Sequence, residues 1–92
     1  MFKKITDISK IRSILDDGIY TKKLLSSVYI KSKNTIYEGV EVLGAVTYCT
    51  TGKKRYSFTN SDSQYKRLLV SCDLEDIVYI EVDLNENFFW CY

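Results

Sequence analysis

The chain has 92 residues, 46% of them hydrophobic and 27% charged, with a formal net charge of +1. That length suits one domain with one modest core, and the balance of apolar and charged residues excludes a disordered chain. Histidine is absent, and Cys49, Cys72 and Cys91 are odd in number and widely spaced, which excludes a disulfide framework, a zinc site and a Ser-His or Cys-His nucleophile.

The first convincing element is a helix over residues 6–17, "TDISKIRSILDD". Thr6 is the expected N-cap, Asp7 suits the positive end of the helix dipole, and Gly18 is the expected stop. Ile8, Ile11, Ile14 and Leu15 recur at helical spacing and form one apolar stripe. After Gly18 the period changes to two. Residues 24–33, "LLSSVYIKSK", alternate as a strand with Leu24, Ser26, Val28 and Ile30 on one face. A turn at "KNT" leads into residues 35–50, "TIYEGVEVLGAVTYCT", a long strand in which Gly39 and Gly44 mark bends or bulges. Turns at "TGKK" and "NSDS" bracket a strand at 55–59, and the next strand runs over 65–72. "DLED" at 73–76 reads as a polar corner with one turn of 3₁₀ helix. Residues 77–82 form a strand with Val78, Ile80 and Val82 facing one way, and the aromatic tail "FFWCY" reads as a last short strand.

This order predicts an α+β domain: an N-terminal helix followed by a five- to six-stranded, strongly bent antiparallel sheet or small barrel. Two stretches carry a resemblance. "KNTIYEGVEVLG" resembles the second-strand region of Sm-like barrels, where a glycine follows a bent hydrophobic strand. "LLVSCDLEDIVYIEV" is similar to their last two strands and the short helical corner between them. Both patterns also resemble SH3-like barrels. The resemblance implies the small-barrel fold alone. The Sm family's RNA-pocket residues have no counterparts here, since no Asp follows Gly39 at the family's distance and "VSC" stands where the family has a basic residue before a glycine.

No catalytic constellation is legible. Among the carboxylate pairs only Glu81 and Asp83 share a strand face, and nothing apolar and concave is implied around them that would raise a pKa for acid catalysis. "TTGKK" has one glycine and is no phosphate loop. The expectation is a protein that is not an enzyme and needs no cofactor and no metal. No apolar run is long enough to span a bilayer, and "MFKKITDISK" has no hydrophobic segment behind its lysines, so the chain reads as cytoplasmic with reduced cysteines.

Charge is more informative than chemistry. Thirteen bases stand against six acids up to Arg67, a net of +7, and six acids and no base follow it, a net of −6. Such asymmetry points to electrostatic recognition unless neighbouring strands interleave the two signs. Two binding readings follow. In the first, the acids Glu81, Asp83 and Glu86 with Phe89, Trp90 and Tyr92 form an edge that anchors a protein partner, such as a nucleic-acid enzyme with a basic groove; a second copy of the chain is another candidate. In the second, Lys53, Lys54, Arg55, Lys66 and Arg67 hold phosphates while Tyr56, Phe58 and Tyr65 offer stacking faces to a nucleic acid. The absence of proline and the plentiful Lys, Ile, Asn, Tyr and Ser follow AT-rich codon usage, which joins small size, lack of chemistry and segregated charge. The expected function is therefore a phage or mobile-element protein that inhibits a host or defence protein by occupying its surface, as anti-CRISPR proteins do, with nucleic-acid binding as the alternative.

Overall fold

Asp7, not Thr6, starts the helix. In the computed structural model, which describes residues 2–21, 24–60 and 67–83, the Asp7 carboxylate oxygen Oδ1 accepts the backbone N–H groups of Ser9 at 2.9 Å and Lys10 at 3.4 Å. Those donors have no partner inside the helix, so a carboxylate one residue later than expected wins over the Thr6 hydroxyl. The helix α1 spans Ile8–Thr21 and runs through Gly18. Gly18 is a buried interior position of α1, where an added Cβ would lie at ordinary contact distance, 3.4 Å, from Cγ2 of Val42. The predicted stripe holds at Ile11, Ile14 and Leu15, all buried, while Ile8 at the helix start is 46% exposed.

A strand precedes the helix. β1 (Phe2–Ile5) joins β2 (Leu24–Ile30), β3 (Thr35–Thr47), β4 (Lys54–Asn60), β5 (Leu68–Asp73) and β6 (Ile77–Asp83) in one antiparallel sheet. The strand order is β1-β6-β2-β3-β4-β5. Among the described residues the end strands β1 and β5 do not pair with each other, so the sheet is open and of the two expected outcomes the bent sheet is the one present. The expected strand over 88–92 lies outside the described residues.

β3 works as the corner of the sheet. Its first half pairs with β2, its second half with β4, and Val40 and Glu41 pair with both. Gly39 sits at the turn point with φ +60°, a left-handed conformation that a side chain would resist. The inward phase shifts by one residue across it. On β2 the buried residues are Leu25 and Ser27 and then Val28 and Ile30, so the expected continuous face of Leu24, Ser26, Val28 and Ile30 holds only in its second half. A further register shift between Val42 and Gly44 leaves Leu43 unmatched, which brings both Val42 and Ala45 opposite the buried Phe58 and Tyr56 of β4.

The last strand departs from simple alternation for the same reason. Its pairing with β2 shifts between Val28↔Ile80 and Ile30↔Ile77, which leaves Val78 as the extra residue. Ile77, Ile80 and Val82 therefore point inward, and Val78, expected among them, is exposed. The two polar corners are 3₁₀ turns. Lys31–Lys33 is followed by Asn34 in the left-handed region with φ 49°, and Leu74–Asp76 is the turn expected at "DLED". On the outer surface Tyr29 and Tyr79 face each other across β2 and β6, edge to face at 5.7 Å, and the Lys4 ammonium lies 4.4 Å from the Tyr79 ring centre. That cation–π contact ties the short β1 to its neighbour.

Candidate functional site

Part of the basic segment expected to hold phosphates is committed to the fold. Tyr56 and Phe58 are fully buried in the core and offer no stacking face. The Tyr56 hydroxyl donates to Asp16 Oδ1 at 2.6 Å, and the Lys54 ammonium donates to the same oxygen at 2.7 Å. Arg12 approaches the other Asp16 oxygen at 3.9 Å. Arg55 reaches Asp73 at 3.2 Å and donates to the Ser71 carbonyl at 3.3 Å. Lys53 and Arg67 are exposed, and Tyr65 and Lys66 lie outside the described residues.

The acids of β6 are likewise placed among bases. Glu81 stands opposite Lys4 of β1, and Asp83 stands opposite Phe2 with Lys3 beside it. Glu86, Phe89, Trp90 and Tyr92 lie outside the described residues. The charge separation along the chain is thus interleaved in space at the β1–β6 and β4–β5 pairings. Cys72 is buried, and burial first, then the nearby Asp76 carboxylate, pushes its thiol up to about 12, so it acts as a small apolar side chain and not as a nucleophile.

Asp16 is the polar pin between helix and sheet. Partial burial acts to raise its pKa, but hydrogen bonds from Lys54 and Tyr56 and the charges of Lys54 and Arg12 outweigh it and hold the carboxyl below the ordinary 3.8. A depressed carboxylate stabilises the fold above its unfolded pKa, and that contribution is lost as pH falls through the lower folded value. Asp16→Ala is expected to cost about 1–3 kcal/mol near neutral pH, since it leaves the buried Tyr56 hydroxyl without its acceptor. Urea denaturation of both chains across the acid range checks this. The gap between them should narrow as pH falls below about 4, and a gap that stays constant would deny the carboxylate its role.

What remains outside these internal commitments is the edge at β5. Among the described residues it is paired on one side, by β4, and is the far end strand of the sheet. The two edges differ in kind. β1 has four residues and carries Lys3 and Lys4, the short charged form that resists unwanted pairing. β5 is longer, and from Leu68 to Cys72 it has no charge and no proline. Leu68 is 60% exposed and Leu69 47%. Leu69 is also the extra residue where the β4–β5 register shifts, and from Val70 to Asp73 the pairing with β4 is regular. From Val70 to Cys72 the edge is regular and uncharged, with Leu68 and Leu69 exposed beside it, and such a stretch is a template for another strand.

Sequence reasoning placed Arg67 among the phosphate-binding bases and did not find this edge. The signal was there: the sign of the charge flips at Arg67, immediately before "LLVSC". No protein-family model matches this chain, and no match exists among curated proteins or solved structures. The described residues form a small antiparallel β-sheet domain with one α-helix. Among the described residues no helix is long and apolar enough to cross a membrane.

Proposed function

We propose that this protein is a non-enzymatic binding module that takes an extended segment of a protein partner as an added strand on β5. The observation that carries the reading is the contrast between the two end strands among the described residues: β1 is short and lysine-bearing, while β5 has no charge from Leu68 to Cys72 and exposes Leu68 and Leu69. Strand addition draws affinity from main-chain hydrogen bonds and specificity from side chains at the edge, so it needs no cofactor and no deep pocket. Inhibition of a host or defence protein, in the cytoplasm of a phage-infected cell, is a task such a module would perform; small size and AT-rich codon usage support that finer reading. Nucleic-acid binding is disfavoured because Tyr56 and Phe58 are core residues and Lys54 and Arg55 already hold Asp16 and Asp73.

A synthetic peptide with the sequence of residues 67–75 tests the edge directly. It should bind saturably in the micromolar range and slow amide hydrogen exchange in residues 68–73, whereas a shuffled peptide should not. Leu69→Lys should remove the binding with the melting temperature unchanged within about 2 °C, because Leu69 is a half-exposed surface side chain. Protection located away from β5, or no binding of the peptide up to about 1 mM, a bound set by the weakest useful affinity, sinks the proposal.

A further inference from the structure

On the outer face of the sheet, away from β5, we infer a second docking surface: a notch formed by β6, β2 and β3 that takes an arginine side chain of a protein partner. The register builds it. Ser27 of β2 stands opposite Glu81 of β6 on one side and Glu38 of β3 on the other, so the three share a face. One step further along that face, Tyr29 stands between Tyr79 and Ile36. A small side chain thus lies between two carboxylates, with two tyrosines and an isoleucine as the wall behind it. Ser27 is 6% exposed, as the floor of a notch is, while Glu38 and Ile36 are exposed. The wall is fixed in place: Tyr29 donates its hydroxyl to Asn34 Oδ1 at 3.1 Å, and its ring meets Tyr79 edge to face.

Charge and span choose the occupant. Adjacent strands lie about 4.8 Å apart, so Glu81 and Glu38, on either side of β2, start about 9.6 Å apart. A guanidinium has donors on both edges of its plane, meets two carboxylates at once and lays its flat face on aromatic rings. A lysine ammonium is a point charge that reaches one acid. The chain itself shows that a cation is stable on this face. Lys4 of β1 stands opposite Glu81, yet its ammonium reaches along the face to lie over the Tyr79 ring. Lys4 therefore competes with an incoming cation at the Tyr79 end of the notch. The bases of the β2–β3 turn, Lys31 and Lys33, stand past Tyr29, on the side away from Ser27. A notch open on a sheet face covers one side chain and no more, which suits an arginine projecting from a protein surface and not a small molecule that needs enclosure.

Titration of the full chain with the end-blocked peptide Gly-Gly-Arg-Gly-Gly, followed by NMR, tests this. The Tyr29 and Tyr79 ring signals should shift saturably, with a dissociation constant of about 1–10 mM. The peptide with lysine in place of arginine should bind at least about threefold more weakly, and the one with glutamine not detectably. Glu38→Gln and Glu81→Gln should each weaken the arginine peptide about three- to fivefold. Lys4→Gln should tighten it by about as much, because the internal competitor is gone; a contact that only held β1 in place would not do this. Glu38 and Lys4 are exposed, so their variants should melt as the unaltered chain does. No saturable ring shift up to about 50 mM, or equal binding of the arginine and glutamine peptides, overturns the inference. So does a Lys4→Gln chain that binds no tighter than the unaltered one. Free arginine binding tighter than the peptide would give the notch to a small molecule and overturn the protein partner. None of these results bears on strand addition at β5, which is read by exchange in residues 68–73.

Discussion

Phe58→Ala should cost about 3–5 kcal/mol, enough to lower the melting temperature by more than about 12 °C in a domain of this size. Phe58 is fully buried on β4, in a row with Val42 of β3 and Val70 of β5. Both neighbouring registers break step beside it, after Val42 on one side and before Thr59 on the other. A truncation there removes the largest apolar side chain at the place where the two pairings have least regular hydrogen bonding to hold them. The sheet cannot collapse into the hole without undoing one bulge or the other, so the cavity stays open. Thermal melting followed by near-ultraviolet circular dichroism measures it. A loss under about 1 kcal/mol would show that β4 is not the central brace of the core.

Ile11→Ala is expected to cost about 2–5 kcal/mol, and Ile8→Ala almost nothing. Ile11 is 1% exposed, and Ile8 on the preceding turn is nearly half exposed. Sequence periodicity puts both on the same stripe, so the pair separates a helix that docks from its fourth residue onward from one that docks along its whole length. Equal losses would mean that the first turn packs on the sheet. Equal indifference would make α1 a detachable arm and leave its Asp16 pin without consequence.

Much of the fold was legible because periodicity reports burial directly. The buried stripe of α1, the long β3 with its two glycines and the 3₁₀ corner at "DLED" follow from apolar spacing and turn chemistry. The misplacements share a cause. At Leu43 and Val78 the pairing slips by one residue, and a single chain read in steps of two cannot show which neighbour it must stay in register with. Gly18 illustrates the complement: its sequence context matches a helix stop, but the helix continues through it to Thr21 with Gly18 buried against Val42, a residue far along the chain. β1 escaped notice because three of its four residues are exposed, so no alternation marks it. For the binding edge, the change of charge sign was readable and its location on an end strand was not, since strand order is a property of the assembled sheet.

The strand order has a consequence for synthesis. β6, the last described strand in the chain, lies between β1 and β2, the first two. While the chain is being translated, β1 has no neighbour to join and β2 is bounded on one side by nothing, until residues 77–83 have left the ribosome. Completion of the sheet thus waits for residues 77–83, and local hairpins formed earlier, β2 with β3 and β3 with β4, wait with an open flank. A nascent chain stalled before residue 77 should be protease-sensitive in its first five residues, whereas the β3–β4 hairpin should already resist.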